Sequence, residues 1–330
     1  MEKAIHLDHS SLKYPLPELL LKELSEELLQ INEYPSGGCY QLLSNKLAEY
    51  VGISSDRILP ANGSDEVIES ITRAFGEGLI LIPVPTFSQY EVSAERNRLD
   101  KKLVPCLAGH HYKLNYCERD LKKATLVWIC NPNNPTGSSI PRDVIKGILD
   151  VTSGIVAVDE CNYEYLGESV VDLIGQYPNL VISRSFSKNF GLAGLRLGFA
   201  VSSTKNITEI AQYSQHFRVN KMAEIAGIKV LKYIDYFQGI WQEIARTREY
   251  FVSRLQDMGI IALPSKTNFV LVDFVTGEKA RQVWQYLREE NVFTVAAWEV
   301  EFTGLDNRYL RFAISNHEEM AYVLELLEKF

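Results

Sequence analysis

Lys188 stands where a charge is expensive. It lies in Ser183–Gly198, SRSFSKNFGLAGLRLG, between the apolar runs Leu180-Val181-Ile182 and Leu197–Val201. Short apolar runs of this kind read as strands buried in a core. A lysine between two of them must be neutral, paired or covalently used. Desolvation strips the proton from an amine more readily, and a neutral amine is the nucleophile of Schiff-base chemistry. Ser185 and Ser187 flank it, and Arg196 follows eight residues on. The plain alternatives are a surface lysine on a turn and, for Arg196, a surface ion pair.

Other reactive residue types also fall just after apolar runs. Asp159 closes Ile155-Val156-Ala157-Val158; a carboxylate there needs a donor or a cation, and a salt bridge would satisfy it. Asn131–Gly137, NPNNPTG, is a loop stiffened by two prolines, with asparagine amides that can donate; a structural turn reads equally well. Phe87 follows Pro85-Thr86, and phenylalanines are usually core. Gly63-Ser64-Asp65-Glu66 opens a helix with Val67, Ile68, Ile71, Ala74 and Phe75 on its buried stripe. Its amides can hold a phosphate, whereas plain capping by Ser64 is the simpler reading. Asp65 and Glu66 suit the helix dipole, so any phosphate contact falls to the amides.

The elements behind these residues alternate. Runs at 79–82, 126–130, 155–158, 180–182 and 197–201 are strands without polar alternation, with helical stretches such as 87–98 and 141–150 between them. That pattern is an α/β fold whose largely parallel sheet is buried on both faces. Ligands of such sheets sit at the carboxyl ends of the strands, where the residues above fall. After a long amphipathic helix at 241–257 come strands at 268–273, 292–296 and 308–314 and helices at 277–290 and 317–329. We read a large domain over 35–240 and a smaller α+β domain over 241–330, joined by an N-terminal arm over 1–34 with a helix at 18–30.

Composition removes several classes. A net charge of -8 gives no basic face for nucleic acid. No apolar run approaches the roughly 20 residues that span a bilayer, and no basic-then-apolar leader opens the chain. The five cysteines are scattered with no C-x-x-C pair, which suits reduced thiols in the cytoplasm and no metal site.

Taken together, a lysine, a buried acid, an aromatic face, an amide donor and an anion cradle meet the needs of pyridoxal 5′-phosphate (PLP). The lysine bonds its aldehyde and the acid keeps its ring nitrogen protonated. The ordered set NGSDE, PTF, NPNNPTG, VDE, SFSKNFGLAGLRLGF and YLRFAIS resembles, over nearly the whole chain, the class I/II aminotransferases of PLP fold type I. Within them it is most similar to the histidinol-phosphate aminotransferases and the threonine-phosphate decarboxylases.

The resemblance implies a role for each matching residue. Lys188 would carry the Schiff base and shuttle the proton, and Asp159 would pair with the ring nitrogen. Asn134 would donate to the ring oxygen, with Asn162 in the place of a usual tyrosine. Phe87 would stack on the ring. Gly63, Ser64 and Asp65, by their amides, would hold the phosphate with Ser185, Ser187 and Arg196. Tyr34 would reach the phosphate of a neighbouring subunit in a homodimer. Arg311 would grip the acidic group of the substrate, with Tyr14 and Arg218 as further substrate contacts. The reaction implied moves an amino group between an amino acid or amine and a 2-keto acid; decarboxylation, elimination or cyclisation is the alternative outcome of the same chemistry. The sequence departs from the pattern around the substrate: Val295 stands where phosphate-binding members carry an arginine, Asn162 takes the place of the tyrosine in Asp-Glu-Ala-Tyr with Tyr163 one step late, and the N-terminal motif is reduced to Ser10-Ser11-Leu12-Lys13-Tyr14.

Overall fold

The computed structural model describes residues 4–35, 38–299 and 302–330. Its core is a seven-stranded sheet in the order Ile58–Asn62, Leu197–Ser202, Leu180–Ser185, Ile155–Asp159, Ala124–Cys130, Leu79–Val84, Lys101–Pro105. All neighbours pair in parallel except around Leu197–Ser202, which runs antiparallel to both its partners. Alternate side chains divide between two apolar layers. Ile80, Ile82, Leu126 and Trp128 pack with Val67, Ile68 and Ile71, while Leu81, Val127, Ile129, Val156 and Val158 join the larger cluster on the other face. Burial on both faces explains why these strands carry no polar alternation.

The single reversed strand matters for function. Its first residue, Leu197, pairs with Asn62 at the end of another strand, and Gly198 pairs with Ser185. Arg196 therefore arrives at the edge where the parallel strands end. The edge strand Lys101–Pro105 was not anticipated, because its two lysines and proline hide the apolar signal; such residues are tolerated at an edge.

The smaller sheet is antiparallel, in the order Ile261–Ala262, Phe269–Asp273, Tyr309–Ala313, Val295–Ala296. The expected strand over 292–296 is broken at Thr294: Val292–Phe293 instead pairs in parallel with Ile5–His6 of the N-terminal arm. The arm thus pairs with a strand of the C-terminal region. The boundary expected at residue 240 falls inside one continuous helix, Ile234–Asp257, which carries its apolar stripe from Phe237 and Ile240 to Phe251 and Leu255. No helix among the described residues is long and apolar enough to cross a membrane.

Candidate active site

A cavity of about 390 Å³ opens at the carboxyl ends of the large sheet, closed on its other side by the small domain and the arm. It gathers Ser64, Asp65, Phe87, Asn134, Asp159, Asn162, Ser185, Ser187, Lys188, Arg196 and Arg311 from separate elements.

Lys188 follows the strand Leu180–Ser185 by three residues and is partly buried. Burial first, and the Arg311 guanidinium next, hold its amine below the usual lysine range. The chain beneath is clamped: Tyr165 donates to the Lys188 carbonyl at 2.9 Å and Trp241 to the Asn189 carbonyl at 2.8 Å.

Asp159 is 3% exposed. The Tyr90 hydroxyl donates to its Oδ2 at 2.6 Å, and the Ser183 hydroxyl and the Cys161 amide donate to its Oδ1, both at 3.0 Å. Every one of these donors is neutral, and among the described residues no cation pairs with it, so the salt-bridge alternative fails. A buried carboxylate held only by neutral donors favours a cation placed beside it.

The helix Gly63–Phe75 begins at the same edge. Ser64 does not cap it, contrary to the simpler reading. The helix already starts at Gly63, and the Glu66 carboxylate takes the Asn62 amide at 2.6 Å. Gly63 has φ +78°, and a Cβ there would stand 2.8 Å from Arg196 Nη2. A Cβ on Gly198 would meet the Ser64 amide nitrogen at 2.5 Å. Both glycines are thus needed to bring the amides, Ser187 and Arg196 into one cradle. Arg196 donates to Ser187 Oγ at 3.4 Å and to Asp65 Oδ2 at 2.7 Å, so the Asp65 side chain orients the guanidinium.

Arg311 lies on the small-domain strand Tyr309–Ala313, directly opposite Val295. It donates to Asn134 Oδ1 at 2.7 Å and to the Asp8 carbonyl at 3.1 Å, while its Nε is buried without a partner. Burial lowers its guanidinium to about 10. Asn162 stands at the first position before the short helix Tyr163–Leu166 without bonding it, and its Oδ1 is likewise buried and unpartnered at the cavity. Tyr163 turns away, its ring 3.7 Å below the Arg184 guanidinium, which pairs with buried Glu160.

The residues implied for a PLP group therefore suit it on three counts: an acid lacking a cation, a cradle that two added Cβ atoms would fill, and a lysine whose charged form is disfavoured. Gly63 backs the cradle behind the lining residues, and three further residues lie away from the cavity. Tyr14 donates to Glu243 Oε1 at 3.0 Å on the long helix. Arg218 donates to the Pro60 carbonyl at 2.5 Å and lies over the Tyr40 ring. Tyr34 is exposed and stacks on Phe217 at 4.6 Å. In place of Tyr14 the arm contributes Asp8, His9 and Ser10.

Sequence reasoning missed Tyr90 and Ser183, the two hydroxyls on Asp159. Tyr90 reads as a core aromatic, and indeed stacks on Trp128 at 4.5 Å. Ser183 becomes visible only through the register that sets it beside Asp159. Arg288, Thr294, Glu299 and Phe302 were missed too, since nothing in their spacing ties them to the distant strand ends.

Comparison with known proteins agrees with this geometry. The chain is 33% identical over 334 residues to a histidinol-phosphate aminotransferase of Thermoanaerobacter pseudethanolicus, covering 98% of this chain and 92% of the relative. A histidinol-phosphate aminotransferase structure from Clostridium acetobutylicum matches with a TM-score of 0.88 at 26% identity, covering 98% of each chain. An L-threonine-O-3-phosphate decarboxylase from Porphyromonas gingivalis matches with a TM-score of 0.89 at 26% identity, covering 99% of each. The family model described as aminotransferase class I and II matches residues 3–327, so the chain belongs to the class I and II aminotransferases.

Proposed function

We propose that this protein is a PLP-dependent aminotransferase that exchanges an amino group between an amino acid and a 2-keto acid. The observation that carries the reading is Asp159, a buried acid lining the cavity with neutral donors only. PLP, when bound, supplies an aldehyde that condenses with amines and a ring that accepts electrons. The residues that would hold it are Asp159 at the ring nitrogen, Phe87 at the ring face, and Asn134 and Asn162 at the ring oxygen. Ser64, Ser185, Ser187 and Arg196 would take the phosphate. Asp159 would keep a proton on the ring nitrogen, because without that cation the carboxylate stays buried among neutral donors only. Lys188 Nζ, biased toward its neutral form, would be the base that takes the proton from the substrate Cα. Arg311 orients the substrate carboxylate with its fork of donors. Phe87 and Phe302 keep part of the wall apolar, which strengthens each of these electrostatic contacts.

A homodimer in the cytoplasm completes the reading. Leu19, Leu21, Leu29, Ile31, Tyr34, Leu42 and Phe217 are exposed, apolar side chains that a partner subunit would cover. Tyr34, outside its own cavity, is then available to a partner's.

The test is direct. Purified protein mixed with PLP should become coloured, and borohydride should fix a mass adduct on the peptide that carries Lys188. An amino-acid panel with 2-oxoglutarate should then change the cofactor absorbance and yield a keto acid. Absence of the adduct would overturn the cofactor assignment. Release of CO2 without a keto product would replace transamination by decarboxylation.

A further inference from the structure

The cavity wall that carries Arg311 also carries polar groups with no assigned role. Arg288 ends the helix Gly277–Glu289, and its guanidinium lies 4.1 Å above the Trp284 ring. It donates to Glu299 Oε1 at 2.8 Å, and Glu299 Oε2 in turn accepts from Trp284 Nε1 and the Ala296 amide, both at 3.0 Å. The pair is thus fixed from three sides. Arg288 Nε is buried without a partner, and so is the hydroxyl of Thr294, which is 1% exposed. Arg288, Glu299 and Thr294 all line the cavity, beside Val295.

Charge limits what this wall can receive. On the substrate side the cavity is lined by two guanidiniums, Arg288 and Arg311, and by two carboxylates, Asp8 and Glu299, so the formal charges cancel. Once Arg311 holds the substrate carboxylate, no uncompensated cation is left for a second anion. A dianionic phosphate would be desolvated against a neutral wall, which is unfavourable. What remains unmet is hydrogen bonding: Arg288 Nε and the Thr294 hydroxyl have no partner, and Glu299 Oε1, which accepts only from Arg288, has room for a second donor. Of these, Arg288 Nε and the Thr294 hydroxyl are buried, and buried polar atoms discriminate strongly against substrates that leave them unpaired.

We propose that the Arg288–Glu299 pair, with Thr294, selects an amino substrate whose side chain ends in an uncharged group that both accepts and donates, of which a carboxamide is the simplest. The inference rests on the proposed reading only in placing the substrate carboxylate on Arg311.

Four carboxylates without an amine test it by calorimetry on the PLP-loaded protein: glutaramate, glutarate, 4-phosphonobutyrate and valerate. Glutaramate should bind about tenfold or more tightly than valerate, the scale of a hydrogen bond to a charged group. Glutarate and 4-phosphonobutyrate should both bind more weakly than glutaramate. In Arg288→Met the glutaramate-to-valerate ratio should fall toward one, whereas a merely structural role would weaken both ligands alike and leave the ratio. Thr294→Val, nearly isosteric, should lower the same ratio severalfold and serves if Arg288→Met does not fold. Tightest binding by the dianion or by valerate, an unchanged ratio in the variants, or no binding of any of the four overturns the inference. Because none of these ligands carries an amine, the outcome does not depend on whether the protein transaminates.

Discussion

The two walls of the cavity are built differently. The wall on the large domain stands on strand ends whose positions follow from register: Asp159 beside Ser183, and Gly198 beside Ser185. Its acid has each oxygen bonded to rigid neighbours. The opposite wall comes from the arm, a strand broken at Thr294, one strand residue and the end of a helix. Unpartnered buried groups, Thr294 Oγ1, Arg288 Nε and Arg311 Nε, cluster there. A cofactor that stays in place can have its groups arranged around it once. A substrate that comes and goes needs partners left open for it, at a cost in unsatisfied polar atoms.

That contrast can be broken by substitution, one wall at a time. The largest effect is expected from Asp159→Asn, which keeps the shape but removes the charge that holds the ring proton. Turnover should fall by about a hundredfold or more, the scale of a lost electrostatic contact in a dry site, while the Lys188 adduct still forms. Turnover within a few-fold of normal would mean that the acid is structural. Arg311→Ala, on the other wall, should raise KM for the amino acid by about tenfold to a hundredfold, as expected for losing charge-assisted bonds. An unchanged KM would place the substrate carboxylate elsewhere.

Smaller effects sharpen the picture. Tyr90→Phe removes one of three donors on Asp159 and keeps the ring stacked on Trp128. Turnover should drop by roughly tenfold, about 1.4 kcal/mol for one bond to a charged group, with KM little changed; a change in KM alone would contradict the assignment.

Glu164 tests the support under Lys188. It accepts from Tyr50 at 2.8 Å and also from Asn189, the residue after the lysine. Burial pushes its carboxyl from 4.5 up to about 7, against the pull of Arg184 and the Tyr50 hydroxyl. Between those values the folded chain binds more protons at this site than the unfolded chain does. Its contribution to stability therefore declines as pH rises from about 4.5 to 7. Glu164→Gln should flatten the dependence of Tm on pH across that window; an unaltered slope would show that Glu164 titrates normally.

Much of the large-domain wall was legible in the residues. Lys188, Asp159 and the glycines of the cradle each break a local rule, a charge in an apolar setting or a chain reversal, and such breaks stand out in a string of letters. The pattern of strands buried on both faces was equally plain. Tyr90 was not legible, because an aromatic on a helix looks the same whether it fills space or also donates a bond. Tyr14 and Arg218 were placed at the substrate by analogy of position, and packing sends them to Glu243 and to the Pro60 carbonyl instead.

The order of strands and helices, the chemistry of the lysine and the acid, and the family were determined by sequence, because short-range patterning and residue type carry them. Which hydroxyls hold Asp159, and which arginine beyond Arg311 lines the small-domain wall of the cavity, only the tertiary structure decided. These placements bring together distant stretches, Tyr90 bonded to Asp159 and Arg288 in one cavity lining with Arg311. Their closeness depends on strand register and domain packing, to which no local pattern is tied.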